Sequence, residues 1–274
     1  MIGIIGLGFV GGAIKYSFKE HFNVMSYDID PSKSTVLTIK SLTKQCKFIF
    51  VALPTPMNKD GSCDISNIDN ALKEIDMYSD QNIVIIKSST PPGTTKSLAA
   101  KYTNVSLVFS PEFLTERNAN WDFAHQESII LGGYPGITAQ VRDMFRRVFP
   151  QVIIRETDFT TAEMVKFTIN CFLATKISLF NELYQCCDKL HIDYDQMVKL
   201  ALLDERIGES HTKVPGWDGH FGFGGACFPA NINIMIEKAK ELGIDAKVLK
   251  ACWDKNLEVR PEKDWEKLKG RCVK

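Results

Sequence analysis

The chain has 274 residues, 45% of them apolar, and 33 basic residues balance 33 acidic ones. That length and apolar share suffice for one large or two ordinary domains, each with a real core. Balanced charge without a Lys/Arg run argues against nucleic-acid or anionic-membrane binding, and no apolar stretch approaches the ~20 residues of a membrane span. The opening Met1-Ile2-Gly3-Ile4-Ile5-Gly6 has no basic segment and no cleavage site, so no signal peptide is expected. From there to residue 155, short β-rich runs alternate with helical ones. Strands are expected at Ile2–Ile5, Val24–Tyr27, Phe48–Val51, Ile83–Ile86, Val105–Phe109, Ser128–Leu131 and Val152–Ile154. Helical stretches fall near 9–20, 65–78, 94–102 and 137–148. The alternation predicts an α/β, Rossmann-like, doubly wound parallel sheet over residues 1–155, which binds ligands beyond the carboxyl ends of its strands.

The pattern changes after residue 155. Glu156 to Ile207 contains neither glycine nor proline, and Thr160-Thr161-Ala162-Glu163 offers a capping box at its start. One long helix, with room for a second, is expected in a smaller all-helical domain over 156–260. Such a helix fits a homodimer seam, and packing within the chain explains its periodicity equally well. Residues 208–225 read as a glycine-rich loop, 231–258 as helical again, and 261–274 as a charged, frayed tail. The eight cysteines are irregularly spaced and none forms a C-x-x-C pair. They predict no disulfide framework and no metal site, but a reduced, cytoplasmic protein in which most cysteines are small core residues.

Two short runs carry chemistry. Gly6-Leu7-Gly8-Phe9-Val10-Gly11 follows the first strand and opens a helix, the arrangement that seats a dinucleotide pyrophosphate at a helix N-terminus. Asp28 ends the second strand and suits the adenosine ribose 2′-hydroxyl, favouring NAD over NADP. The second run, Gly222-Phe223-Gly224-Gly225-Ala226-Cys227-Phe228-Pro229, sets one thiol on a glycine loop before a helical stretch, a setting that suits a nucleophile.

Five segments share one order and spacing: Leu53 to Pro56, Lys87 to Thr94, Ser110 to Glu116, Ala162 to Asn170, and Gly222 to Pro229. Together they resemble the nucleotide-sugar dehydrogenases of the UDP-glucose 6-dehydrogenase type, over nearly the whole chain. The resemblance implies two successive oxidations of a sugar primary alcohol with NAD, through a cysteine thioester, in polysaccharide biosynthesis. It implies Cys227 as nucleophile, Lys166 and Asn170 as oxyanion partners, Glu112 in proton or water handling, and Ser89 in place of a threonine. Pro54, Thr55, Ser89, Glu116 and Lys33 join the glycine run on the cofactor side. Phe113, Leu114, Arg206 (toward a partner subunit), Phe221, Gly222, Phe223 and Gly224 fall on the substrate side, with UDP-glucose as the expected substrate.

The sequence departs from that pattern in two ways. Ala230 and Asn231 stand where the family has lysine and aspartate, so a group that moves protons is missing. The chain also ends where the linker to a third, nucleotide-gripping domain would begin, and Trp217, in a longer loop, is a candidate to stack on a base. Two alternatives therefore stay open: a single-step β-hydroxyacid dehydrogenase, and a non-catalytic subunit that binds NAD and sugar.

Overall fold

The structure, a computed structural model, describes residues 1–274. It divides into two compact units, Met1–Thr55 with Asp64–Lys166, and Pro56–Cys63 with Phe167–Lys274.

The first unit alternates β1 (Ile2–Ile5), α1 (Phe9–Phe18), β2 (Val24–Tyr27), α2 (Ile39–Gln45), β3 (Phe48–Val51), α3 (Ser66–Tyr78), β4 (Ile83–Ile86), α4 (Thr94–Lys101), β5 (Ser106–Phe109), α5 (Ala119–Ala124), β6 (Ser128–Gly133), α6 (Pro135–Val148) and β7 (Ile153–Thr157). The strands form one seven-stranded sheet in the order β2-β1-β3-β4-β5-β6-β7. Side chains alternate across it, because successive residues of a strand point to opposite faces. In β4, Ile83 and Ile85 join Ile4, Phe18, Phe50 and Phe145 on one face. Val84 and Ile86 join Leu42, Val51, Leu72 and Phe109 on the other. Both faces are covered, as in parallel sheets with helices on each side.

All pairs are parallel except one: β5 and β6 are antiparallel, Val108 facing Gly133, while β6 and β7 are parallel again. The sheet is thus mostly parallel, as expected, with one antiparallel joint.

Helix α7 (Phe159–Leu190) starts in the first unit and continues in the second for a total of 32 residues. Its cap is Asp158, whose Oδ1 accepts from the Thr161 N–H at 3.0 Å. The expected Thr160–Glu163 box does not form, because Glu163 is engaged elsewhere. Phe159 and Ala162 lie in the core of the first unit, which extends to Lys166.

In the second unit α7 is followed by α8 (Tyr194–Ala201), α9 (Cys227–Glu241) and α10 (Lys247–Val259). The expected single stretch over 231–258 is two helices, separated at Gly243, whose φ of +73° a glycine adopts readily. Residues 261–274 are not frayed: Trp265 is 2% exposed and Cys272 fully buried. The Met57 N–H donates to the Cys272 carbonyl at 2.7 Å, and the Lys274 N–H to the Met57 carbonyl at 3.0 Å. The unit is thus not purely helical, since Met57 also bridges Cys63 and Val273 in β fashion.

Candidate active site

In the first unit, β1 lies between β2 and β3, so the chain order reverses at the carboxyl end of β1, where such sheets bind ligands. Gly6 stands there with φ +88°, and a Cβ would come 2.5 Å from the Ala52 carbonyl oxygen. At Gly11 a Cβ would collide with the Gly6 carbonyl, whereas around Gly8 the space is open. Phe9 and Val10 begin α1 directly after this turn. Asp28 is tied to the turn: its Oδ2 accepts from the Leu7 N–H at 2.5 Å and its Oδ1 from the Asp30 N–H at 2.9 Å. An open glycine turn at a helix start, beside a partly buried carboxylate, fits a dinucleotide. Thr55 Oγ1 donates to the Ser89 carbonyl at 2.9 Å, and Ser88 Oγ accepts from the Leu53 N–H at 2.8 Å, so the two strand-end segments are stitched together. Pro54 and Glu116 are exposed. Lys33 lies on the surface with its ammonium 3.7 Å from Asp30.

Beyond β5, a buried ion pair joins Glu112 to Lys166 at 2.9 Å, with side chains 11% and 5% exposed. Lys166 Nζ also donates to the Glu112 carbonyl at 2.5 Å, and the Leu114 N–H donates to Glu112 Oε2 at 2.8 Å. Burial alone would raise the Glu112 pKa, but the Lys166 ammonium, the Leu114 N–H and more distant Lys87 together hold it below the usual carboxylate range. Glu112 is therefore an anion and a weak base. Phe113, 38% exposed, has the Lys166 ammonium 5.4 Å above its ring.

In the second unit, the glycine loop is gripped at five backbone groups. Phe221 O accepts from Arg260, and the Gly222 N–H donates to Asn181 Oδ1 at 3.0 Å. Asn256 takes Phe223 by both polar groups, and the Gly225 N–H donates to Asp264 Oδ2 at 3.0 Å. At Gly224 a Cβ would strike the Arg260 guanidinium. Arg260 is 3% exposed and is held by Asp264 at 2.7 Å and Asp218 at 2.8 Å. After this rigid loop comes Cys227, exposed, as the first residue of α9. The helix thus starts at the thiol itself, earlier than expected, since proline is tolerated in a first turn.

Asn231 lies one turn further on, with Nδ2 donating to the Cys227 carbonyl at 2.7 Å. Its Oδ1 is buried and has no partner; neither has Nδ2 of Asn170, a residue 6% exposed on α7. Arg206 does not join this loop: 89% exposed, it pairs with Asp204 two residues earlier. Trp217 is 74% exposed, with the Lys213 ammonium 4.1 Å over its ring.

Residues 34–153 match the model of the UDP-glucose/GDP-mannose dehydrogenase family, NAD binding domain, and residues 160–258 that of the family's central domain. The UDP-glucose 6-dehydrogenase YwqF of Bacillus subtilis is 33% identical over 76% of this chain and 48% of its own length. The chain belongs to the UDP-glucose/GDP-mannose dehydrogenase family. It spans about half the length of the curated relatives it matches. A UDP-glucose dehydrogenase from Pyrobaculum islandicum is similar in structure, with TM-score 0.83 and 25% identity over 97% of this chain and 70% of that one. The 3-hydroxyisobutyrate dehydrogenase of Mycobacterium tuberculosis shares the fold alone, with TM-score 0.78 and 13% identity over 96% of this chain and 94% of that one.

In this chain the glycine turn, Gly6 to Gly11, lies ahead of the range matched by the NAD binding domain. Sequence reasoning missed the residues that support these sites. Asn181, Asn256, Arg260 and Asp264 lie 33 to 41 residues from the loop atoms they hold, and nothing local marks them. Glu163 gave a signal but the wrong one. Its carboxylate accepts from Thr90 Oγ1, the Gly93 N–H, and the Thr95 N–H and Oγ1, all at 2.6–2.8 Å.

Proposed function

We propose that this chain is an NAD-dependent nucleotide-sugar dehydrogenase that oxidises a sugar primary alcohol to the acid, with UDP-glucose as substrate. The observation that carries the reading is the exposed Cys227 thiol at the start of α9, on a loop whose backbone is clamped, in a chain with the family's NAD-binding domain. Bound NAD would supply the two-electron acceptor for each oxidation. The chain's own residues would do the rest. Cys227 would add as thiolate to the aldehyde carbon of the half-oxidised sugar and form a thiohemiacetal. After the second oxidation the same sulfur would hold the acyl group as a thioester, which water cleaves to acid and thiol. The Asn170 amide, in the same unit as Cys227, suits the oxyanion of such tetrahedral species.

Asn231 favours a slow last step. An amide cannot take a proton, general-base help is worth about 10²–10⁴ in rate, and Glu112 is held as a weak base. Counting NADH per UDP-glucose for the natural chain and Asn231→Asp tests this reading. Two NADH per sugar, formed faster by Asn231→Asp, is the expected result. A single NADH with aldehyde released would favour the single-step alternative, and none in either chain, with NAD still bound, would sink the enzyme reading.

A homodimer is part of the proposal. Phe172, Leu179, Leu183 and Leu190 lie at helical spacing along α7, with exposures of 37–68%. Such a stripe fits a second copy of the chain, and sedimentation of Leu179→Glu against the natural chain tests it. No helix is long and apolar enough to cross a membrane. Buried thiols at Cys46, Cys171, Cys187, Cys252 and Cys272 support a reducing, cytoplasmic setting.

A further inference from the structure

Lys87 follows β4 and is 3% exposed. Its ammonium donates to Ser110 Oγ at 3.2 Å and to the Pro111 carbonyl at 3.1 Å, with the Phe123 ring 5.9 Å away. None of these partners carries a charge. The only charged groups that act on it are Glu112, which favours its ammonium, and Lys166, which opposes it. A lysine at the carboxyl end of the central strand is a poor way to fill space, since a buried ammonium without a direct counter-ion is destabilising and an apolar side chain of the same length would pack there. What the lysine does that an apolar residue cannot is fix a peptide plane. The Pro111–Glu112 peptide is planar, so holding its oxygen also sets the direction of the Glu112 N–H. The next carbonyl, Glu112 O, is held by Lys166. Two buried ammoniums thus grip consecutive carbonyls and fix the backbone from which the Glu112 carboxylate extends to Lys166.

We propose that Lys87 is a positioning residue of the active site: it anchors Ser110 and Pro111 so that Glu112 is held in its pairing with Lys166. It acts through Glu112 and does not itself touch substrate. Only the kinetic part of the following test rests on the dehydrogenase reading.

The test is a double-mutant cycle on Lys87→Met and Glu112→Gln, read by NADH formation and by thermal unfolding. Lys87→Met should lower kcat by about 10–100-fold through misplacement of Glu112, while KM for NAD stays within about twofold. The double variant should be no slower than Glu112→Gln alone, and Lys87→Gln, which keeps a neutral donor, should recover part of the loss. Multiplying effects, or a Lys87→Met kcat within about twofold of the natural chain, would overturn the proposal. If the natural chain makes no NADH from UDP-glucose, the dehydrogenase reading fails and the unfolding arm decides. Melting shifts that fall short of additivity support the positioning role, and additive shifts overturn it. Should Lys87→Met not fold, Lys87→Gln takes its place in both arms.

Discussion

Asn256 holds Phe223 by both of its backbone groups: Oδ1 accepts from the Phe223 N–H at 2.7 Å, and Nδ2 donates to the Phe223 carbonyl at 3.0 Å. Asn256 is fully buried and Phe223 is 3% exposed, so water cannot replace either bond. Asn256→Leu leaves a buried donor and acceptor unmet and should cost about 2–5 kcal/mol. Asn256→Asp keeps the acceptor but sets a buried carboxylate against the Phe223 carbonyl, so it should cost at least as much. Urea unfolding of both variants checks the order, and alkylation of Cys227 should lose its uniform rate as the loop loosens.

Glu163 is the hub between α4 and α7, with four donors converging on one fully buried carboxylate. Glu163→Ala should destabilise the first unit by about 3–5 kcal/mol, because the donors are left unpaired. Glu163→Gln can keep its oxygen on Thr90 and Thr95, where three of the four bonds fall, and opposes an amide N–H₂ only to the Gly93 N–H, so it should cost clearly less than Glu163→Ala. Calorimetry on the two variants gives the comparison.

Burial pushes the Lys87 pKa down from its ordinary 10.5 to about 7, Glu112 opposing the fall and Lys166 adding to it. Between those two values the unfolded chain binds a proton there that the folded chain does not. Stability therefore rises with pH from about 7 toward 10.5, and the contribution is lost as pH falls through 7. The difference in stability between the natural chain and Lys87→Met isolates this group from other titrations. It should shift in favour of the natural chain from pH 7 to pH 10; a difference that is flat in pH would contradict the burial account.

Thiol labelling should separate the cysteines sharply. Burial pushes Cys46 up to about 11 and Cys171 and Cys272 up to about 12, so none of them forms thiolate near neutrality. Cys186 and Cys227 are exposed. Iodoacetamide at pH 7.5 should modify these two first, as read by peptide mass mapping, and Cys227→Ser should remove one of the two labels. Early labelling of Cys272 would show that its packing against the Met57 segment opens readily.

The strands were legible because each is a short apolar, β-branched run between turn residues. Ile83–Ile86 and Phe48–Val51 match residue for residue. Helix α2 was not, since Ile39–Gln45 offers only Ile39 and Leu42 as an apolar stripe. The reversal at β5 and β6 depends on which edge a connection returns along, and periodicity does not encode that. The packing along α7 was hidden for a related reason. An uninterrupted helix gives no local sign that Phe159 and Ala162 are packed in one core and Phe167 in another. At the candidate site, glycines and the cysteine announced themselves through turn chemistry. The groups that brace them are ordinary Asn, Arg and Asp residues far along the chain. The most telling single letter was Asn231, whose buried oxygen without a partner is where its unusual identity becomes a structural fact.

The bracing of the glycine loop also sets an order of events during synthesis. Phe223 is held by Asn256, Gly225 by Asp264 and Phe221 by Arg260, and each partner is translated 33 to 39 residues after the atom it holds. The sheet and its glycine turn need only residues already made by then, so the nucleotide-binding half can settle while the ribosome is still working. The thiol loop cannot. Until residue 256 and those after it are made, the loop has Asn181 as a hold on Gly222 but lacks Asn256, Arg260 and Asp264, so the dinucleotide half matures before the thiol loop.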